Sequence, residues 1–111
     1  MLKTDSILVV FMFILFQSCT NDKFEMDPCA SVSYVETIRP IVNLKCAVSG
    51  CHVSGFQPGD FTNYQVLKQK VDDGKLQLVV FDLKIMPPVN KLSDEETSII
   101  KCWIGHGAKS N

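Results

Sequence analysis

Two cysteines and a histidine stand close together near the middle of the chain. Residues 46 to 52 read CAVSGCH, so that Cys46 and Cys51 are followed at once by His52. Each thiol can add to one vinyl group of a haem as a thioether, and the adjacent histidine is then held against one face of the ring. This pattern predicts one covalently bound haem c, anchored by Cys46 and Cys51, with His52 as the proximal iron ligand.

The spacing of the two cysteines departs from the usual attachment pattern. Four residues, Ala47 to Gly50, separate them where two are usual. We expect the extra residues to bulge outward while the sulfurs stay in place, because Ser49 and Gly50 favour a tight loop. The spacing is therefore compatible with haem attachment.

A methionine followed by two prolines lies downstream. Met86 precedes Pro87 and Pro88, and a residue before proline is biased towards extended geometry. By itself a loop methionine is more often a packing residue. Thioether sulfur is also a soft ligand for the sixth position of haem iron, and His/Met ligation raises the reduction potential. With the haem motif upstream, we assign Met86 as the distal iron ligand.

Three capping boxes predict three main helices and hence an all-α fold. In each box a serine or threonine caps the helix, and a glutamate or glutamine three residues later bonds back to it. The predicted helices cover 33–45, with a kink or restart at Pro40, then about 62–71, and 93–104. Apolar residues 76–81 fit a short strand or a buried helical turn. The boxes are Ser33 with Glu36, Thr62 with Gln65, and Ser93 with Glu96.

Two stretches of the chain resemble a known family. The segments IRPIVNLKCAVSGCH and MPPVNKLSDEETSIIKCWIGHGA are similar to small class I cytochrome c domains of exported bacterial lipoproteins. The resemblance covers roughly residues 32–109. It implies about three main helices wrapped around one haem, with the N- and C-terminal helices crossing. It also implies an electron carrier rather than an enzyme, or the electron-transfer subunit of an oxidoreductase complex, with redox partner proteins still to be identified.

The N-terminus predicts export. Lys3 precedes an uninterrupted apolar run over 7–16, which is too short for a membrane span of about twenty residues and is typical of a secretory signal. The next cysteine, Cys19, resembles the lipidated cysteine of bacterial lipoproteins, and an ordinary signal with an incidental cysteine is the alternative. We expect a lipid anchor in a bacterial membrane, on the periplasmic side or at the cell surface. The expected divisions are a signal peptide over 1–18, a lipidated cysteine and tether over 19–30, and a folded domain over 31–111.

Two of the five cysteines remain after these assignments, Cys29 and Cys102. In an oxidising compartment such a pair favours a disulfide, and two separate thiols are the alternative. A disulfide would join the segment before the first helix to the last helix. His106 follows that last helix, where we expect its imidazole to interact with free carbonyl groups rather than with haem.

The aromatic residues are expected to pack rather than to react. Trp103 falls in an apolar stripe of the last helix, with Ile99, Ile100 and Ile104, and is expected to anchor the core. The phenylalanines expected to pack around the haem are Phe56, Phe61 and Phe81.

Two other functions use some of the same residues. A structural zinc site would take Cys46, Cys51 and Cys102 with His52 or His106, but it leaves Met86 and the adjacency of Cys51 and His52 unexplained. A haem enzyme or gas sensor needs an exchangeable sixth position on the iron, and Met86 argues against one. A formal net charge of -1 without basic runs argues against a nucleic-acid partner.

Overall fold

The computed structural model describes residues 27–111 of the chain. The predicted signal peptide, the lipid on Cys19 and the tether up to residue 26 lie outside the described residues. Within 27–111 the chain is helical and contains no strand, which confirms the all-α prediction at that level. No helix in this part of the chain combines the length and the apolar character that crossing a membrane requires.

The first helical segment has two parts that meet at Pro40. A π-helical turn covers Tyr34–Ile38, and helix α1 covers Arg39–Lys45. Proline has no N–H to donate, and its ring clashes with a carbonyl of the preceding α-helical turn, so a wider π-turn accommodates it there. The restart predicted at Pro40 therefore takes the form of a π-turn.

The N-cap of this segment forms half of the predicted capping box. The Ser33 hydroxyl accepts a hydrogen bond from the Glu36 N–H at 3.1 Å. The N–H of Ser33 donates to Thr37 Oγ1 at 3.4 Å rather than to the Glu36 side chain. A β-branched hydroxyl one residue further on thus replaces the glutamate in the second bond.

Helix α2 covers Tyr64–Asp72, and the prediction that Thr62 caps it is wrong. The cap is Asn63, whose side chain accepts from the Gln65 N–H at 2.9 Å. Thr62 is already engaged, because the Asp60 carboxylate accepts from its hydroxyl at 2.6 Å and from its N–H at 2.9 Å. A carboxylate two residues earlier holds this threonine in the preceding loop.

The apolar segment after α2 is helical, which settles the choice left open by its sequence. Gly74 turns the chain with a φ of +71°, a conformation that glycine adopts without steric cost. The short helix α3 then covers Lys75–Gln77, and a second π-helical turn covers Leu78–Asp82.

The last helix, α4, covers Asp94–Gly105 and begins with a complete capping box. The Ser93 hydroxyl accepts from the Glu96 N–H at 3.0 Å, and the Ser93 N–H donates to Glu96 Oε2 at 2.8 Å. Gly107 follows the helix with a φ of +87°. The start and the end of this helix agree with the sequence prediction.

The core lies where α4 packs against the π-turn Tyr34–Ile38. The rings of Tyr34 and Trp103 stack with centroids 5.8 Å apart, and Tyr64 meets Tyr34 edge-on at 4.9 Å. Trp103 is 2% exposed, as expected of a core anchor. The buried apolar residues are Tyr34, Ile38, Val42, Phe61, Leu67, Val71, Ile100, Trp103 and Ala108.

Candidate haem-binding site

One cavity of about 450 Å³ is lined by all four residues that the sequence assigns to haem. Cys46, Cys51 and His52 reach it from the loop that follows α1, and Met86 reaches it from the loop that precedes α4. The volume falls within the range of about 300 to 1,000 Å³ that is typical of cofactor and ligand pockets. The fold therefore brings together residues up to forty positions apart in the chain.

Residues 48–51 form a β-turn at the edge of the cavity. The Cys51 N–H donates to the Val48 carbonyl at 2.9 Å, and Gly50 occupies the third position of this turn with a φ of +80°. Residues 48–50 are exposed. The His52 N–H donates to the Cys46 carbonyl at 3.1 Å and closes the loop. Val48 and Ser49 thus project outward, as expected, while Gly50 borders the cavity.

His52 is held by contacts on two sides of its ring and by a hydrogen bond. Its ring lies parallel to that of Phe61, with centroids 3.9 Å apart, and Phe56 meets it edge-on at 5.2 Å. Nδ1 of His52 lies 3.0 Å from the Gly59 carbonyl oxygen. Because a carbonyl can only accept, Nδ1 is the donor in this contact, and in the neutral tautomer with Nδ1 protonated the free lone pair lies on Nε2. An imidazole held in this way is suited to bind a metal ion through Nε2.

Gly59 supports His52 at a position where a larger residue does not fit. Its φ is +123°, and a Cβ atom built on it would lie 2.8 Å from Val66 Cγ1. The Phe61 N–H donates to the His52 carbonyl at 2.9 Å, so Gly59 and the residue two positions after it are both hydrogen-bonded to the histidine. Sequence reasoning missed this role, because a glycine in a loop carries no local sign of what its carbonyl contacts.

Met86 is positioned by its backbone as well as by the prolines after it. Its N–H donates to the Val79 carbonyl at 3.1 Å. This bond joins the methionine loop, residues 83–93, to the second π-turn. Pro87 is buried and lines the cavity, whereas the Met86 side chain is 38% exposed. The methionine therefore stands at the rim of the cavity.

The cavity walls are apolar, but one predicted wall residue is elsewhere. Phe81 does not line the cavity; it packs against the core, with Lys101 Nζ 5.1 Å from its ring centroid. Val79 and Val80, which precede Phe81 in the same π-turn, line the cavity instead. The prediction for Phe81 is therefore wrong. The apolar wall residues are Phe56, Pro58, Phe61, Leu76, Val79, Val80, Pro87 and Pro88.

Three lysines that sequence reasoning did not single out also line the cavity: Lys45 at the end of α1, Lys70 and Lys75. Lys70 lies on α2 and Lys75 begins α3, on either side of the turn at Gly74. Lys75 Nζ is 3.8 Å from Asp73 Oδ2. Within residues 27–111, Lys70 has no carboxylate within 4 Å. These ammonium groups give an otherwise apolar cavity a positive edge.

The thiols and their surroundings do not support the zinc alternative. Cys102 is bonded to Cys29, so it has no thiolate to offer a metal. Across the described part of the chain, no three His, Cys, Asp or Glu residues lie together in a group able to hold a metal ion. Burial raises the pKa of the Cys46 thiol to about 11, with a further contribution from Cys51, so Cys46 is a protonated thiol at neutral pH.

The remaining predicted residues lie away from the cavity. Cys29 and Cys102 form a disulfide with their Cα atoms 5.1 Å apart. The prediction that the His106 imidazole meets free carbonyls is wrong: its backbone N–H donates to the Cys102 carbonyl at 3.0 Å, while its Nε2 lies 3.2 Å from Asp27 Oδ2. The imidazole contacts Asp27 rather than a carbonyl group, because a carboxylate is a stronger hydrogen-bond acceptor than a carbonyl oxygen.

Comparisons of the chain with protein-family models, with curated proteins and with solved structures find no match. The donor groups and the shape of the cavity are therefore the features from which a function is inferred.

Proposed function

We propose that this protein is a mono-haem c-type cytochrome that carries single electrons outside the cytoplasm, tethered to a bacterial membrane by a lipid on Cys19. The observation that carries the proposal is the meeting of two thiols, an imidazole and a thioether in one apolar cavity. The Nδ1 bond of His52 to the Gly59 carbonyl adds to it, because it leaves Nε2 available to iron. The donor set and the cavity fit a covalently held haem.

Each residue has a defined part in this proposal. Cys46 and Cys51 hold the haem through thioether bonds, while His52 and Met86 bind the iron. The bound haem supplies a one-electron couple between Fe(III) and Fe(II). The apolar walls would surround the haem ring, and the cations of Lys70 and Lys75 suit the two carboxylates that a haem carries.

Two protein ligands on the iron favour electron transfer over catalysis, because they leave no vacant position for a substrate. We therefore propose an electron carrier, or the electron-transfer subunit of an oxidoreductase complex. The partial exposure of Met86 supports electron exchange with redox partner proteins on that side of the site.

The test is to express the full chain in cells that attach haem to exported proteins and to record the visible spectrum of the reduced protein. Haem bands that stay with the polypeptide after acid-acetone extraction, with an intact mass increased by one haem, support the proposal. The Cys46→Ser/Cys51→Ser variant should lose the haem. The matched control, Cys29→Ser/Cys102→Ser, also removes two cysteines and should keep it. Purified protein without haem but with stoichiometric zinc would replace this proposal by the zinc-binding alternative.

Two further variants test the axial ligand and the anchor. Met86→Ala should abolish the weak red absorption of methionine sulfur bound to Fe(III), and a surviving band would assign the sixth position to another residue.

Cys19→Ser should move the protein from the membrane fraction to the soluble fraction. If Cys19→Ser protein stays in the membrane, the lipid assignment is wrong.

A further inference from the structure

Lys45, the last residue of α1, stands directly before Cys46 and makes an unusual number of polar contacts. Its Nζ lies 3.0 Å from Asn90 Oδ1, 3.1 Å from the Lys91 carbonyl oxygen and 3.4 Å from Glu96 Oε2. Its side chain is 15% exposed. One ammonium group therefore joins α1 to the methionine loop and to the first turn of α4.

The contact between α1 and the methionine loop is made from both sides. Asn90 Nδ2 donates to the Leu44 carbonyl at 3.5 Å, while Asn90 Oδ1 accepts from Lys45. The backbone φ of Asn90 is +53°, a conformation that asparagine adopts more readily than most residues. The side chain of Asn90 thus lies between the end of α1 and the loop.

Two apolar side chains of the loop contribute little to holding it in place. Ile85 is 51% exposed and Val89 is 77% exposed. Apart from buried Pro87 and half-buried Leu92, which packs against the core, the loop is attached through the Ile85 and Met86 N–H bonds to the Val79 carbonyl at one end and through Lys45 at the other. Polar contacts to Lys45 therefore account for much of its attachment to the helix that leads to the haem anchors.

We infer that Lys45 is a positioning residue for the distal ligand: it holds the methionine loop against α1 and so determines how firmly Met86 stays on the iron. This inference rests on the proposed function. It concerns the strength of the Met86 contact, not the presence of haem, which depends on the cysteines.

The test is the titration of Fe(III) protein with imidazole, which competes with Met86 for the iron. In Lys45→Met the apparent Kd for imidazole should fall about tenfold, because loss of charge-assisted hydrogen bonds makes the Met86-off state more populated. Lys68→Met is the matched control, since it also removes one partly buried ammonium group. Lys68 pairs with Asp72 within α2 and does not line the cavity. Equal Kd values for the wild type and Lys45→Met would overturn the inference.

A second variant keeps the test valid if Lys45→Met fails to fold. Asn90→Gly removes the amide that Lys45 contacts while keeping the positive φ accessible, and it should lower the imidazole Kd in the same direction. If both residues belong to one contact, the double variant should bind imidazole no more than about twofold more tightly than the stronger single variant. Fully multiplicative effects would show independent actions and would overturn the inference. Two other outcomes would instead overturn the proposed function. One is a wild-type protein that contains no haem, and the other is an equal imidazole affinity for the wild type and Met86→Ala.

Discussion

The position of His52 depends on Gly59, a residue that performs no chemistry itself. The imidazole is fixed between the rings of Phe56 and Phe61, and its tautomer is selected by the carbonyl of Gly59. Such an outer partner orients a ligating histidine and raises its basicity. Gly59 in turn fits only because nothing projects from it towards Val66.

Substitution of Gly59 by alanine should therefore cost more than the same change at another glycine with positive φ. Gly59→Ala combines backbone strain at a φ of +123° with a contact of 2.8 Å to Val66, and should lower the free energy of unfolding by about 2 to 3 kcal/mol. Gly55→Ala has a φ of +85° but open space around it, and should cost about 1 kcal/mol. Urea unfolding followed by circular dichroism compares them. Equal losses would show that the Val66 contact relaxes freely.

In the proposed cytochrome, Lys70 should raise the reduction potential of the haem, because a positive charge beside the cavity disfavours the more positive Fe(III) state. Lys70→Gln should lower the midpoint potential by about 20 to 40 mV, the size expected of one partly solvated charge. Lys68→Gln is the control, since its charge is already paired with Asp72 outside the cavity lining. Spectroelectrochemical titration measures both. A fall of the same size in Lys68→Gln would mean that the net charge of the protein, not the position of Lys70, sets the effect.

At the scale of elements, the first turn of α4 connects the capping of a helix to the site. Glu96 completes the capping box with Ser93 and also meets Lys45. The hydrogen bond with the Ser93 backbone, and then the nearby Lys45 ammonium, lower the pKa of the Glu96 carboxyl below its ordinary value. The ionised side chain thus stabilises both the start of the helix and the end of α1.

This lowered pKa predicts the sign of a pH effect. A carboxyl whose pKa is lower in the folded state contributes stability above the unfolded pKa, and that contribution is lost as the pH falls through the folded pKa. Glu96→Gln should therefore be less stable than the wild type at pH 7, and the two should converge as the pH falls below about 4. Glu95→Gln, an exposed neighbour in the same turn, should show less convergence. A difference between wild type and Glu96→Gln that stays constant from pH 7 to pH 3 would contradict the assignment.

At the scale of the whole molecule, the disulfide joins the beginning of the described chain to its last helix. Cys29 and Cys102 are separated by 73 positions, so the bond closes a long loop. The double variant Cys29→Ser/Cys102→Ser should unfold with a free energy lower by about 2 to 4 kcal/mol. Chemical denaturation with and without reductant measures this. Reductant should destabilise the wild type and leave the double variant unchanged; equal stability of both proteins without reductant would contradict the prediction.

The sequence predicted those parts of the fold that short-range patterns determine. The capping box of Ser93, the restart at Pro40 and the turn at Gly50 all depend on residues within a few positions of one another. The same local patterns gave the wrong cap at Thr62, because a hydrogen bond with Asp60 competes for its hydroxyl. Local competition of this kind is not visible in a spacing rule.

The residues that support the site could not be predicted, because their partners are distant in the chain. Lys45 contacts Asn90 and Lys91, which follow it by 45 and 46 positions in the chain. The other two cavity lysines, Lys70 and Lys75, come from different helices. Phe81 was wrongly assigned to the cavity, since the sequence did not reveal the π-turn that presents Val79 and Val80 there instead. Donor types and order can thus be recognised from sequence, whereas the shell that positions them requires the fold.

The disulfide also determines how the domain responds to mechanical tension. A pull between Asp27 and the C-terminal end of α4 travels through the sulfur bond and bypasses the loop that holds the cavity. An extended chain spans about 3.5 Å per residue, so the 73 positions between the cysteines correspond to roughly 250 Å of chain. The disulfide prevents this part of the chain from being stretched. That length becomes available only when the bond is reduced. The segment bearing Cys46, Cys51, His52 and Met86 is thus isolated from forces that reach the domain through its N-terminal side.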